Sequence, residues 1–105
     1  DATQITVRGI GLQFFFDDAG LALVYVGERS FPEGLDEESL QAAATVKIES
    51  LRSRQGKRGR LHVAAGDGFA WSSADGEIGW VEVFRPMSFE EFTERVYQEP
   101  PRFKQ

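Results

Sequence analysis

The side chains that could carry out covalent chemistry are few in this 105-residue sequence. Cysteine is absent and His62 is the single histidine, so thiol catalysis, disulfides and Cys-ligated metal sites are excluded. A Ser-His-Asp set can be written from His62, Asp67 and either Ser72 or Ser73. Such catalysis requires the base to lie within hydrogen-bonding distance of the hydroxyl, and the spacing does not indicate this. We therefore expect no catalytic residue, with His62 on the polar face of a strand.

Paired carboxylates and glycine-rich loops also give no sign of a site. The carboxylate pairs fall in a turn at Asp17-Asp18 and at two helix starts, residues 36–38 and 90–91. These solvated positions favour ordinary capping and surface roles over acid–base catalysis. No calcium-binding loop is present, and neither Gly9-x-Gly11 nor Gly56-x-x-Gly59 has the spacing of a phosphate-binding loop. We expect neither a metal nor a cofactor.

One short segment is strongly basic in a chain that is acidic overall. Residues 52–60 contain no acid and carry five positive charges, so the other 96 residues carry a net −10. A basic loop of this kind is a candidate site for phosphate or another anion, although such clusters are also common as solvated surface. The acidic remainder disfavours nucleic acid as a ligand, because it would repel the phosphate backbone. The candidate anion-binding residues are Arg52, Arg54, Lys57, Arg58 and Arg60.

Aromatic side chains are abundant, with nine Phe, two Tyr and two Trp. Large rings fill the core of a small domain efficiently, but they also anchor protein interfaces. Phe15 lies in a Phe-Phe-Phe run that places rings on both faces of a strand. Trp71 and Trp80 flank an Asp75-Gly76 turn, and we expect them to pair across that hairpin. These three rings, Phe15, Trp71 and Trp80, are the candidate aromatic anchors for a partner.

The first elements are predicted to be strands. Alternating apolar residues predict one strand over residues 4–16, with a change of phase at Gly9 that is typical of a β-bulge. A nearly continuous apolar run over residues 21–26 predicts a second, buried strand. The Asp-Asp-Ala-Gly turn between them predicts that the two strands form a hairpin.

A long helix is predicted next. Asp36 is a suitable N-cap, and Gly56 is a suitable C-terminal stop. Between them, apolar residues recur at helical spacing and form one stripe. That stripe consists of Leu40, Ala44, Ile48 and Leu51.

The second half of the chain predicts three short strands and a closing helix. The strands cover residues 60–65, 69–73 and 77–84, and the last two are joined by the Asp75-Gly76 turn. Ser88 and Glu91 form a predicted capping box at the start of the closing helix, which ends before two consecutive prolines. Residues 98–105 are expected to be a loose tail.

These elements predict one α+β domain over residues 1–105, in the order β-β-α-β-β-β-α. We expect a five-stranded, mainly antiparallel sheet covered on one face by the long helix. This order of elements resembles the profilin-like and longin-like architecture. No apolar run is long enough to span a membrane. The absence of cysteine fits the cytoplasm and the periplasm, with a slight preference for the cytoplasm.

The predicted function is that of a small, acidic, non-enzymatic protein-binding module. A bacterial immunity or inhibitor protein that blocks a basic toxin domain is one concrete form, and residues 88–92 resemble the endings of some immunity families. In that form a set of carboxylates steers association. Alternatives are a longin-like or roadblock-like scaffold subunit that forms a homodimer, and a domain that binds an anionic ligand at residues 52–60. The steering carboxylates are Asp17, Asp18, Asp36, Glu37 and Glu38.

Overall fold

The strands form one antiparallel sheet in the computed structural model, which describes residues 3–7, 9–52 and 59–97. The spatial order is β1-β2-β3-β7-β6-β5-β4, so two meanders join where β3 pairs with β7. The small single-domain α+β fold is thereby confirmed, whereas the expected number of five strands is wrong. The seven strands are β1 (Thr3–Val7), β2 (Leu12–Asp17), β3 (Gly20–Gly27), β4 (Glu49–Arg52), β5 (Arg60–Ala64), β6 (Phe69–Ala74) and β7 (Glu77–Phe84).

The single strand expected over residues 4–16 is in fact a hairpin of β1 and β2. Gly9 and Gly11 adopt positive φ angles of 87° and 71°. Glycine enters this left-handed region without steric cost, and the chain reverses there so that Val7 pairs with Leu12. The change of phase at Gly9 therefore marks a turn. The only register shift between β2 and β3 lies further on, after Phe15.

The long helix predicted after Asp36 is much shorter than expected. Asp36 does cap α1 (Glu37–Ala43), since its side chain accepts the Ser39 N–H at 2.8 Å. The helix ends because Asp67 accepts the backbone N–H groups of Thr45 and Val46, at 2.8 and 3.2 Å. Residues 49–52, predicted to be helical, instead form β4 and pair with β5. The predicted stop at Gly56 lies outside the described residues, as does the tail over 98–105.

A different helix covers the core. Buried apolar residues of β2, β3, β5, β6 and β7 share one face of the sheet, the core face. The element over it is α2 (Phe89–Phe92), which continues into a π-helical turn (Thr93–Tyr97). Phe92 is fully buried, with its ring centroid 5.2 Å from that of Phe84. By contrast, α1 contains no buried residue, so the expectation that the first helix packs over the core of the sheet is wrong.

Three further local predictions agree with the structure, and a fourth does not. Asp75 and Gly76 both have positive φ, 54° and 82°, as a tight type I′ turn requires. The predicted strands of the second half match β5, β6 and β7 within a residue. Ser88 caps α2 by accepting the Glu91 N–H at 3.0 Å. The Glu91 carboxylate, however, accepts from Arg95 at 2.8 Å and so pairs forward along the helix. Neither described helix is long or apolar enough to cross a lipid bilayer.

Candidate functional site

The sheet face opposite the core carries rows of apolar side chains, and we call it the open face. Residues that pair directly across antiparallel strands lie on the same face, so the register defines each row. The exposed fraction is 49% for Ile5, 37% for Val7 and 47% for Val83. The first row is Ile5, Phe14, Val24, Val83 and Phe69, and the second is Val7, Leu12, Val26, Val81 and Trp71.

One half of the open face is covered by the segment around α1. Trp71 is fully buried there, and its indole N–H donates to the Glu37 carboxylate at 2.8 Å. Val46 packs beside Gly66 at the end of β5, where its methyl carbon would lie 3.1 Å from an added Cβ. The other half, over β1, β2, β3 and the end of β7, retains the exposed apolar side chains. The open face therefore has a covered part and an exposed apolar part.

The second apolar row continues past Trp71 into a polar group around His62. His62 pairs with Trp71 on one side and with Ser50 on the other. The Nδ1 atom lies 3.0 Å from Ser50 Oγ, and Nε2 lies 2.9 Å from Ser73 Oγ. Glu37 Oε2 is 3.4 Å from the same Nε2 atom. The imidazole is stacked on the Trp71 ring, with centroids 5.2 Å apart, so the indole ring holds the imidazole in place.

The surroundings of the imidazole favour one tautomer. The Glu37 carboxylate lies on the Nε2 side, where it favours a proton on that atom. Nε2–H then donates to Ser73, and Nδ1 is left as an acceptor for the Ser50 hydroxyl. A serine whose hydroxyl donates to a neutral imidazole, with a carboxylate behind the ring, is the arrangement that activates serine nucleophiles. Ser50 itself is exposed.

The structure assembles this group from residues that spacing alone did not bring together. Of the set considered from the sequence, Ser73 does contact His62. Ser72 lies on the core face, where its hydroxyl accepts a hydrogen bond from the backbone N–H of Trp80 at 3.0 Å. Asp67 binds the segment after α1. Glu37 and Ser50 were missed because they come from a helix start and from a strand that the sequence predicted to be helical.

Comparisons with known proteins add no assignment. No family model matches the chain, and neither the curated proteins nor the solved structures give a match. The function must therefore be argued from the geometry of the described residues.

The acidic candidates occupy two separate elements. At the β2–β3 turn, Arg85 binds Asp17 through both carboxylate oxygens at 2.9 and 3.0 Å. The Arg85 guanidinium lowers the pKa of Asp17 to about 2. At the start of α1, Asp36 is the cap, Glu37 binds Trp71 and Glu38 is exposed. Asp18 is exposed beside Asp17 in the turn.

Two of the basic candidates lie directly opposite each other in the sheet. Arg52 of β4 pairs with Arg60 of β5, and both side chains are exposed. They lie on the open face, two residues along the strands from the pair of Ser50 and His62. Like charges at opposed positions destabilise a ladder unless a counter-charge lies between them. The other three candidates, Arg54, Lys57 and Arg58, lie outside the described residues.

The aromatic candidates are largely internal. Phe15 is 9% exposed and packs in the core, and Trp71 is fully covered. Trp80 is half-buried against the core, and its indole N–H donates to the Glu82 carboxylate at 3.1 Å. The expected pairing of Trp71 and Trp80 is absent, because Trp71 pairs with Val81 and its ring lies on the face opposite Trp80. The apolar side chains that remain accessible on the open face are therefore aliphatic residues together with Phe14.

A cavity of about 370 Å³ lies at the other end of the molecule, between β2, β3 and the closing helix. Its walls include Phe15, Phe84 and Met87, together with the Asp17–Arg85 pair and the Arg95 side chain. The cavity contains none of the residues around His62. In the described part of the chain, no three His, Asp or Glu side chains are grouped so as to hold a metal ion.

Proposed function

We propose that this chain is a protein-binding domain whose partner docks on the exposed apolar part of the open face. The observation that supports this proposal is the row of directly paired side chains from Ile5 across Phe14 and Val24 to Val83. Isolated exposed apolar residues are ordinary, but contiguous apolar patches on a folded surface mark interaction sites.

The size of this surface suits the centre of a protein interface. The exposed part of the first row crosses four strands from Ile5 to Val83, which is about 14 Å at the usual strand spacing. Two rows add a depth of about 7 Å along the strands. A stable interface buries roughly 800 Å² on each partner and has an apolar centre with a polar rim. The rows therefore provide the centre, and the surrounding turns provide the rim.

The inhibitor form of the proposal has less support than binding in general. It requires acidic side chains to act together in steering a basic partner, yet Asp17 is neutralised by Arg85 and Glu37 is engaged by Trp71. The homodimer form fits the same apolar surface, because a second copy would bury the same rows by two-fold symmetry. The experiment below separates these partners.

A photo-crosslinking amino acid at position 83, in the native host, tests the proposal directly. The expected result is a discrete adduct with one protein, because position 83 lies in the first row and is 47% exposed. The matched control carries the same group at position 94, which is exposed on the π-helical turn over the opposite face. Ile5→Glu in the chain labelled at 83 should reduce the adduct yield, since it places a charge in the same row.

The mass of the adduct identifies the class of partner. An adduct of twice the chain mass supports the homodimer, and an adduct with a basic protein supports the inhibitor form. Equal labelling from positions 83 and 94, or no adduct from position 83, would remove the open face as a docking surface.

A second candidate function is the binding of an anionic ligand at Arg52 and Arg60. Their opposed positions on the open face favour it, because an anion between the two guanidinium groups offsets their repulsion. Inorganic phosphate should then raise the Tm of the natural protein and leave that of Arg60→Gln unchanged. Sodium chloride at equal ionic strength is the control, and equal effects of the two salts would reject a specific site.

A further inference from the structure

We propose that Ser50 is a reactive nucleophile, activated by His62, that accepts acyl groups from esters carrying a negative charge. This activity goes beyond docking on the apolar rows and does not depend on it. It runs against the expectation, drawn from the sequence, that the chain is not an enzyme. The experiments below decide between the two.

The geometry at Ser50 supports this activity. Its hydroxyl is exposed and lies 3.0 Å from Nδ1 of an imidazole whose other nitrogen is held by Ser73. The His62 side chain retains 20% exposure, so an acyl compound can approach Ser50 from the solvent side. Because Ser50 and His62 are directly opposed on paired strands, the rigid sheet fixes the distance between them. Sites built on strands hold such distances more closely than loops do.

The groups behind the His62 ring hold it in position to act as a base. Trp71 is fully buried, stacks on the imidazole and donates its N–H to Glu37. That hydrogen bond holds the carboxylate 3.4 Å from Nε2, where it stabilises the positive charge that the ring gains as a base. Trp71 and Glu37 therefore act as positioning residues. A histidine with a purely structural role requires neither a carboxylate behind it nor an exposed hydroxyl in front.

The reaction follows from these positions. Ser50 Oγ attacks the ester carbonyl as its proton passes to Nδ1 of His62, giving a tetrahedral intermediate. The C–O bond to the leaving group then breaks, and the alcohol takes the proton back from His62. The acyl group is now on Ser50 as an ester. Water, deprotonated by the same nitrogen, releases it as a carboxylic acid and restores the serine.

The arginine pair beside Ser50 and His62 indicates the substrate class. Arg52 and Arg60 form the next pair along the same face, about 7 Å from Ser50 and His62 at the rise of a strand. Two cationic side chains in the neighbouring row attract an acyl compound that carries its own carboxylate or phosphate. The preferred substrate class is therefore an anionic ester.

The test uses p-nitrophenyl acetate as a neutral probe and mono-p-nitrophenyl succinate as an anionic one. Acylation is followed by release of nitrophenolate and by peptide mass spectrometry of the labelled residue. The natural protein should be labelled on Ser50, faster with the succinate than with the acetate. Ser50→Ala should abolish that labelling. Ser30→Ala, which removes a hydroxyl bonded to the Ile10 carbonyl at another edge, is the matched control.

His62→Gln tests the role of the base with little change in shape. Positioned general bases contribute on the order of 10²-fold or more, so the acylation rate of Ser50 should fall by about that factor. Glu37→Gln tests the positioning role. It should lower the maximal acylation rate while leaving the half-saturating ester concentration unchanged. A merely structural Glu37 would leave the maximal rate unchanged and affect only the thermal stability.

The anionic preference has its own arm. Arg60→Gln should bring the rate with the succinate down toward the rate with the acetate, while labelling by the acetate persists. Labelling spread over several serines or lysines, or a His62→Gln rate within twofold of the natural one, would overturn the proposal. Circular dichroism of each variant separates loss of reactivity from loss of fold. None of these outcomes bears on crosslinking from position 83, so the two proposals fail independently.

Discussion

Replacing Phe92 with alanine tests whether α2 holds the core together. Phe92 is the fully buried residue of α2, and its ring packs against Phe84. Removing a buried phenylalanine ring costs about 3–5 kcal/mol, from lost apolar burial and from the cavity left behind. A domain of this size has only about 5–15 kcal/mol of stability in total. At roughly 4–8 °C for each kcal/mol, the Tm should fall by about 12–40 °C.

Urea unfolding followed by tryptophan fluorescence measures the loss directly, because Trp71 and Trp80 report on the two faces of the sheet. Phe92→Leu retains much of the volume and should cost about 1 kcal/mol, which gives a value even where the alanine variant does not fold. Phe89→Ala is the matched control, since Phe89 is only half-buried in the same turn of helix. A cost below about 1 kcal/mol for Phe92→Ala would refute the view that α2 closes the core.

Three further outcomes are expected. Because Arg85 lowers the pKa of Asp17 from 3.8 to about 2, this carboxylate stabilises the fold above about pH 4 and loses its contribution as the pH falls toward 2. Arg85→Met should therefore flatten the acid side of a plot of Tm against pH, and an unchanged plot would contradict the pairing. The Thr45 hydroxyl likewise lowers the pKa of Asp67, so Asp67→Asn should lower the Tm more at pH 7 than at pH 3 in calorimetry. Val83→Lys should change the stability by less than about 0.5 kcal/mol and reduce the fluorescence of bound anilinonaphthalene sulfonate, and undiminished fluorescence would show that the dye binds elsewhere.

The strands of the second half of the chain were predictable because local signals and tertiary pairing agree there. The Asp75-Gly76 turn has the chemistry of a tight hairpin, and the strands on either side of it begin and end within a residue of the prediction. Alternation also placed His62 on the face opposite Leu61 and Val63, and both of those residues are buried in the core. Such short-range patterns were sufficient for these strands, because the turn between β6 and β7 carries a clear sequence signal of its own.

The helix boundary was not predictable from spacing alone. Apolar residues recur at helical intervals through Leu51, but the acceptor that ends α1 is Asp67, 22 residues beyond Thr45. A weaker signal was present, since Thr45, Val46 and Ile48 are β-branched and favour extended structure. Tertiary hydrogen bonds then decided a segment in which local preferences were divided. The identity of the residues around His62 depended on that decision.

The early end of α1 accounts for both the exposed apolar rows and the pairing of Ser50 with His62. The first residue of α1, Glu37, lies over Trp71. Because α1 stops at Ala43, it covers only part of the open face. The apolar rows over β1, β2 and β3 remain exposed as a consequence. Because the helix ends there, residues 49–52 can form β4. This strand places Ser50 opposite His62 and Arg52 opposite Arg60. A helix continued through residue 56 would have removed Ser50 from the sheet, so the apolar surface and the serine–histidine pair have a common structural origin in the contact between Asp67 and the chain after α1.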